Sequence, residues 1–216
     1  MTADTMTYVL GYLGLLLLVV GAAVTVTLLA ADPSSSLRLA WGRYENELEK
    51  LCRFLLLDRT GASIARLQLI GVGLTPVLAF VLDDFIYLLL APPIALAPYY
   101  VLKGKAAERV QRLEGQLDSW LLLLSNALKA TPSLGEAIAS SAKLMRPPMG
   151  EELDLALKEM KLGTPLDQAI LNMSTRVGSP AISSALATIL VGRQTGGDLP
   201  KIMEESAATL REMARL

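Results

Sequence analysis

Residues 5–31 contain no charged side chain, and this apolar run limits the possible folds more than any other feature of the chain. An α-helix rises 1.5 Å per residue, so the run supplies about 40 Å of helix, more than the hydrocarbon core of a bilayer requires. A signal peptide would have a basic N-terminal segment, a shorter apolar stretch and small residues at a cleavage site. Asp4 is the sole charged residue before the run. We therefore predict a retained transmembrane helix over 5–31.

A second apolar region covers residues 67–102 and is interrupted by Asp83 and Asp84. One helix through a membrane would place both carboxylates at mid-bilayer, at a cost of about 2.5–3.5 kcal/mol each on insertion scales. A helical hairpin with the two aspartates at its turn avoids that cost and has arms of about 24–27 Å. We predict a transmembrane hairpin over 67–102, and a buried hairpin of a soluble protein is the alternative.

Prolines are expected to kink both arms of this hairpin. Transmembrane helices tolerate such kinks when neighbouring groups satisfy the carbonyls that lose an N–H partner. The prolines concerned are Pro76, Pro92, Pro93 and Pro98. The tyrosines Tyr87, Tyr99 and Tyr100 suit positions at the membrane interface.

The distribution of basic residues predicts the orientation of the chain. None lies in residues 1–4 or at the Asp83–Asp84 turn, six lie in 32–66, and the other fourteen of the 20 lie in 103–216. Basic residues stay on the cytoplasmic side of a membrane. We therefore expect the N-terminus and the turn outside, with 32–66 and 103–216 in the cytoplasm.

The cytoplasmic segment 32–66 is predicted to contain one amphipathic helix over residues 37–60. Its apolar stripe has spacings of three and four residues. The stripe consists of Leu37, Trp41, Tyr44, Leu48, Leu51 and Leu55. The pattern leaves two positions open for this helix, along the inner membrane surface or packed on the tail.

The tail 103–216 reads as six helices separated by short turns, which indicates an antiparallel helical bundle. Capping residues, prolines and glycines mark the helix boundaries. They are Thr131–Pro132, Ser133 with Glu136, Pro147–Pro148, Gly163, Thr164–Pro165, Gly178, Ser179–Pro180 and Gly196–Gly197 with Asp198. The predicted fold class is an all-α membrane protein with three transmembrane helices and a cytoplasmic six-helix bundle.

The composition excludes several kinds of active site. The chain has no histidine and a single cysteine, Cys52, which removes Ser-His triads, His-ligated metals and an intramolecular disulfide. Its 20 basic and 21 acidic residues nearly cancel, so no basic surplus exists to bind a nucleic acid backbone. We predict no catalytic residue, no cofactor, no metal and no nucleic-acid partner, and we predict that the protein is not an enzyme.

Two local patterns suggest chemistry but have simpler structural explanations. The glycine-rich stretch 192–198 lacks the preceding strand and the Lys-Ser or Lys-Thr pair of a phosphate loop, and Asp198 would repel phosphate. We interpret it as a turn between two helices. Glu151 and Glu152 follow two prolines and lie near a predicted helix start, where the helix dipole favours acidic residues.

The ordered motifs of the tail carry a family resemblance. They are Leu124-Ser125-Asn126-Ala127-Leu128, Leu162-Gly163-Thr164-Pro165-Leu166, Arg176-Val177 and Thr195-Gly196-Gly197-Asp198-Leu199, followed by Thr209-Leu210-Arg211-Glu212. Over about residues 110–216 the chain resembles the type II secretion system F domain, in the variant of the TadB-like proteins of the Tad (tight adherence, Flp) pilus.

This resemblance implies a platform protein in the bacterial inner membrane that has no catalysis of its own. Such a protein would couple a hexameric cytoplasmic secretion ATPase to pilin assembly in a Tad/Flp (type IV-like) pilus or a related type II secretion machine. The implied partners are that ATPase, a second TadC-like platform protein, prepilin or pilin, and membrane lipid. A homo-oligomer is also expected, because Gly71, Gly73 and Ala79 allow apolar helices to approach closely.

The candidate functional residues of the tail are interpreted as turn and docking residues. Those that match recurrent positions of the family are Gly163, Pro165, Arg176, Gly196, Gly197 and Arg211. Arg193 and Asp198 join them because they lie at helix ends in the same turn region. An arginine at a helix end is expected to contact carbonyls or carboxylates, or to dock a partner protein.

Two other functions stay open from the sequence. A membrane-anchored helical adaptor or signalling protein would have the same composition but no secretion ATPase and no pilin as partners. A small transporter would need charged residues inside its spans, and the spans have none apart from the turn aspartates. TadB-like chains continue into further C-terminal transmembrane helices, so a truncated form, or a short form completed by a partner, is expected.

Overall fold

The structure, a computed structural model, describes residues 36–57, 59–81 and 85–213. The predicted transmembrane helix 5–31 and the Asp83–Asp84 turn lie outside these residues. The chain divides into two compact units, an N-terminal unit that ends at Lys105 and a C-terminal unit that begins at Ala106.

All regular secondary structure among the described residues is helical, with no strand, in agreement with the all-α prediction. A 3₁₀ helix covers Phe85–Leu90. The α-helices are α1 (Ser36–Phe54), α2 (Gly61–Val81), α3 (Ala91–Ala130), α4 (Leu134–Ala142), α5 (Met149–Lys161), α6 (Leu166–Val177), α7 (Pro180–Thr195) and α8 (Leu199–Met213).

Helix α1 corresponds to the predicted amphipathic helix 37–60, but it ends at Phe54, six residues earlier than predicted. Its apolar stripe is the face that packs. Leu48 and Cys52 are fully buried against Ala65 of α2 and Leu102 of α3. Half-buried members of the stripe, among them Trp41 and Tyr44, surround this cluster. Residues of α2 and α3 in the same N-terminal unit therefore cover part of the stripe. Burial raises the pKa of the Cys52 thiol, which has no disulfide partner.

Two buried polar side chains satisfy backbone groups near prolines in the N-terminal unit. Pro76 has no N–H for the carbonyl of Val72, and the hydroxyl of Thr75 donates to that carbonyl at 2.7 Å. Three residues before Pro98, the Ala95 carbonyl accepts from Nε2 of Gln68 at 2.9 Å. Gln68 is 7% exposed and Thr75 is 2% exposed. Thr75 thus supplies the compensation that a proline-containing helix needs away from water, whereas Gln68 links α2 to α3, because the carbonyl that Pro98 leaves without its helical donor is that of Ile94.

The contacts of α2 with α3 run antiparallel. Gln68 reaches Ala95, and a Cβ on Gly71 would lie 3.0 Å from Cγ2 of Ile94.

In the ranges that the structure describes, no helix combines the length and the apolar character needed to cross a membrane.

The C-terminal unit consists of the six helices that the turn residues of the tail predict, counting the part of α3 that follows Lys105. Helices α5 to α8 pack each on the next along the chain. Helix α8 returns antiparallel along α3, since Ser125 contacts Pro200 while Asp118 contacts Arg211. The core contains the predicted apolar faces, with Trp120, Leu124, Met173 and Leu186 almost fully buried.

Most predicted helix caps are present. Ser133 and Ser179 accept hydrogen bonds from the N–H groups of Glu136 and Ile182 at the starts of α4 and α7. Gly178 and Gly196 end α6 and α7 in the left-handed conformation. One boundary differs from the prediction, because Pro165 occupies the N-cap position of α6 rather than its first turn and no side chain caps that helix. The difference is one residue, within the usual fraying of helix ends.

Candidate functional site

The structure distributes the predicted turn and docking residues over two ends of the C-terminal bundle. Arg193, near the end of α7, forms an ion pair with Asp167, in the first turn of α6. The turn 162–165 precedes α6 and the turn 196–198 follows α7, so this ion pair places both turns at one end. We call it the glycine end, formed by residues 162–167 and 193–198.

The α5–α6 turn of the glycine end depends on Gly163. This residue has a φ of +96°, a conformation that residues with a Cβ rarely adopt. Its N–H and that of Leu162 donate to carbonyls of the last turn of α5. Leu162 is 87% exposed, which makes it the most exposed large apolar side chain among the described residues. Pro165 then directs the chain into α6.

The α7–α8 turn of the glycine end combines a left-handed residue with close packing. Gly196 has a φ of +68°, and the N–H of Gly197 donates to the Gly192 carbonyl at 3.1 Å. A Cβ on Gly192 would lie 2.8 Å from Cδ2 of Leu199, so the two helices touch at this level. The carboxylate of Asp198 accepts from the N–H of Lys201 at 3.4 Å at the start of α8. The predicted capping role of Asp198 therefore matches its position.

Replacing Gly196 with alanine is expected to lower the free energy of unfolding of the bundle by about 1 kcal/mol, because alanine is strained at positive φ. Asparagine tolerates that conformation, so Gly196→Asn should cost less than Gly196→Ala. Urea unfolding of both variants measures the difference. Equal losses for the two variants would show that the backbone conformation is not the cause.

Arg176 lies away from the glycine end, at the other end of α6, and it is an internal contact. Its Nε donates to Glu152 at 2.8 Å and its Nη1 donates to Glu159 at 3.0 Å. Further along α5 and α6, Asn172 donates to Glu159 at 2.7 Å and Gln168 donates to Asn172 at 2.8 Å. These side chains form a continuous line of hydrogen bonds between the two helices.

We call this line the polar ladder, and it continues from α6 through α5 to α3. Arg109 of α3 donates to Glu152 at 3.1 Å and to Glu151 at 2.7 Å. The ladder comprises Arg109, Glu151, Glu152, Glu159, Gln168, Asn172 and Arg176. Because Gln168 lies beside the glycine end, the ladder extends from that end of the bundle toward the other.

Glu152 is the central member of the polar ladder. Its side chain is fully buried, and each carboxylate oxygen accepts from a different arginine, Oε1 from Arg109 and Oε2 from Arg176. A buried ion pair of this kind adds little net stability compared with an apolar core, but removing one partner is strongly destabilising. The arrangement therefore fixes which faces of α3, α5 and α6 meet.

The sequence interpretation missed the polar ladder. It assigned Glu151 and Glu152 to the helix dipole and Arg176 to a turn or docking role. One signal was present, because Glu152 and Glu159 are seven residues apart and lie on one face of a helix. The partners Arg109 and Arg176 come from distant segments, and no local pattern connects them to Glu152.

Arg211 holds α8 against α3. Its Nε donates to Oδ2 of Asp118 at 2.9 Å. Nearer the start of α8, Glu204 accepts from Lys129 and, at 3.1 Å, from the hydroxyl of Ser125. Burial tends to raise the pKa of Asp118, but the hydrogen bond and charge of Arg211 outweigh burial and lower this pKa below its ordinary value. The hydrogen bonds from Lys129 and Ser125 lower the pKa of Glu204.

These contacts predict that the attachment of α8 weakens in acid. Carboxylates with lowered pKa stabilise the fold fully above their ordinary pKa, about 4, and lose that contribution as the pH falls through the lower folded values. We expect Asp118→Asn to destabilise the protein at pH 7 and to have a smaller effect at pH 2.5. Unfolding free energies of wild type and variant at both pH values test this, and an equal difference at both would contradict it.

The described residues offer no reactive cluster. No group of three His, Cys, Asp or Glu side chains among them is arranged to hold a metal ion. A groove of about 260 Å³ separates α7 from α8, and small residues line it, including Ala181, Ser184 and Thr188. The hydroxyl of Thr188 donates to the carbonyl of Ser184 in its own helix.

One known family matches part of the C-terminal unit. Residues 120–216 match the family described as "Type II secretion system (T2SS), protein F". The chain matches no curated protein and no solved structure. The matched segment agrees with the F-domain resemblance of the tail, whereas the TadB-like variant stays a prediction.

Proposed function

We propose that the protein is a platform component of a secretion or pilus-assembly machine, in which it couples a cytoplasmic hexameric ATPase to pilin assembly. The observation that carries this proposal is that the segment matching the F family, 120–216, coincides with the helical bundle from Ala106 onward. The bundle supplies docking surfaces and turns. The Tad/Flp pilus is the machine we favour, because the tail motifs resemble the TadB-like variant.

We further propose that residues 5–31 and the hairpin 67–102 hold the chain in the bacterial inner membrane, with the C-terminal unit in the cytoplasm. Large apolar side chains of the hairpin are exposed, which is typical of a membrane or protein contact. Among them are Leu69, Ile70, Leu74, Ile86, Leu89 and Leu96. The basic residues of 32–66 and 103–216 support this orientation.

The glycine end is the surface that we propose for the ATPase. Within the C-terminal unit, the glycine end is the end remote from Ala106. The part of α3 that belongs to this unit extends from Ala106 to Ala130, which is about 36 Å at 1.5 Å per residue. It exposes Leu162 and the Arg193–Asp167 ion pair. Arginine is one of the residues enriched in binding hot spots. A partner bound there would shift the protein between states only if it bound one state more tightly.

In-cell photocrosslinking tests the function and the docking end together. A crosslinking amino acid at Thr195, in the glycine end, should capture the secretion ATPase. The matched control is the same amino acid at Lys143, which is also exposed but belongs to the α4–α5 turn near the opposite end of the ladder. Capture from Lys143 alone would contradict the proposed docking end. Recovery of neither ATPase, pilin nor a second platform protein from both sites would contradict the platform function and favour the adaptor.

A further inference from the structure

A chain of aromatic side chains joins α1 to α3 in the N-terminal unit. The ring centroids of Trp41 and Tyr44 are 5.8 Å apart, those of Tyr44 and Tyr99 are 6.2 Å apart, and those of Tyr99 and Tyr100 are 5.6 Å apart. The ammonium of Lys103 lies 5.8 Å from the centre of the Tyr99 ring. We call these five residues the aromatic collar.

The aromatic collar separates two kinds of surface. On one side of it, the described residues 67–81 and 85–102, which belong to α2, the 3₁₀ helix and the start of α3, include no charged residue. Several of their large apolar side chains are more than half exposed, among them Ile70, Leu74, Ile86 and Leu96. On the other side, Arg66, Lys103 and Lys105 are exposed. This order of apolar surface, aromatic ring and basic charge is typical of a helix pair at a membrane interface.

The collar also has a buried polar anchor. The hydroxyl of Tyr44 donates to Oε1 of Gln68 at 2.9 Å, and the amide nitrogen of Gln68 donates to the Ala95 carbonyl. This link joins α1, α2 and α3 at one level. Beside it, Trp41 and Tyr44 line an open apolar cavity of about 170 Å³ with Leu69, Val72 and Ala95. An open apolar cavity under aromatic rings can accept an aliphatic chain.

We infer that the aromatic collar lies at the lipid headgroup level of an anionic bilayer, with Lys103 beside the headgroups and α1 on the water side. The inference rests on the proposed membrane attachment and specifies its depth and its lipid partner. A lipid surface fits better than a protein surface because the proline-freed carbonyl of Val72 and the Ala95 carbonyl are satisfied from within the unit. Tyrosine and tryptophan rings prefer the interface, and a lysine there gains contact with anionic headgroups.

Tryptophan fluorescence in reconstituted vesicles tests the depth of the collar. The chain has two tryptophans, and Trp120 is 1% exposed within the C-terminal unit. The difference between wild type and Trp41→Phe therefore reports Trp41 without changing the buried tryptophan. We expect phosphatidylcholine brominated near the headgroup to quench this difference signal at least twice as strongly as lipid brominated near the chain ends. Trp120, the signal that remains in Trp41→Phe, should be quenched by neither lipid.

Flotation of the vesicles on a density gradient shows whether the protein is attached to them. If the protein floats with the vesicles but Trp41 is quenched more by the chain-end label, or by neither label, the collar inference is overturned and membrane attachment stands. A chain that does not float with the vesicles would contradict membrane attachment itself. The two failures are therefore distinguishable.

Lipid preference tests the role of Lys103. At equal mole fraction, brominated phosphatidylglycerol should quench Trp41 more than brominated phosphatidylcholine, with a preference of about fivefold for one lysine near an anionic surface. Lys103→Gln should lower this preference, and the control Lys143→Gln, in the C-terminal unit, should leave it unchanged. A preference that Lys103→Gln does not lower, or that is absent in wild type, would contradict the assignment of Lys103.

Discussion

Replacing Glu152 with glutamine is expected to lower the free energy of unfolding of the C-terminal unit by about 3–5 kcal/mol, the cost of breaking a buried ion pair from one side. The glutamine keeps the shape of the side chain but removes its charge. Its amide NH₂ would then face one of two guanidinium donors, Arg109 or Arg176, at a position with no exposure to solvent. A buried donor without an acceptor carries the full desolvation penalty.

Glu151 provides the matched control for Glu152. It is adjacent in sequence and also pairs with Arg109, but its side chain is 38% exposed. Exposed ion pairs contribute about 0–1 kcal/mol, so Glu151→Gln should cost less than 1 kcal/mol. Urea unfolding followed through Trp120, in a Trp41→Phe background, measures both variants. Similar losses for the two would mean that the buried position of Glu152 in the polar ladder does not control stability.

Two glycine-to-alanine substitutions are expected to have opposite signs. At Gly150, in the first turn of α5, an added Cβ would lie 2.6 Å from the carbonyl oxygen of Met145. That atom belongs to the backbone and cannot rotate away, so the turn before α5 must shift. Overpacking of this kind costs about 1–3 kcal/mol. Gly150→Ala should therefore destabilise the bundle by that amount.

Gly115 supplies the comparison, because it lies inside α3 with no heavy atom within 4 Å of an added Cβ. Alanine is favoured over glycine inside a helix by about 1 kcal/mol. Gly115→Ala should therefore raise the free energy of unfolding by up to that amount. The same urea titration compares the two variants, and destabilisation by both, or by neither, would contradict the packing difference between the two sites.

The crosslinking experiment distinguishes a platform protein from an adaptor. The stability predictions concern the module itself and hold for either function. The crosslinking sites Thr195 and Lys143 are not members of the polar ladder, so the two sets of positions can be tested in separate variants. The glycine end and the ladder are thus separately accessible to mutation.

Local chemistry made the helices of the tail predictable from the sequence. Ser179 before Pro180 and Gly178 after α6 act within four residues, so their effect on helix boundaries is visible in a short window. The apolar faces were equally readable, because Leu117, Trp120 and Leu124 repeat at helical spacing and are all buried. The stripe of α1 was correct as a packing face, whereas the residues of α2 and α3 that pack on it could not be read from the stripe.

Tertiary structure alone decided which segments meet. Arg109 and Glu152 are 43 residues apart, and Arg176 is 24 residues beyond Glu152, so their pairing follows from the order in which the helices pack. For the same reason the sequence did not distinguish Gly150 from Gly115, or show that Arg176 is internal while Arg193 is at the glycine end. Helix formation depends on neighbours along the chain, whereas a buried ion pair and a close backbone contact depend on groups that only the folded bundle brings together.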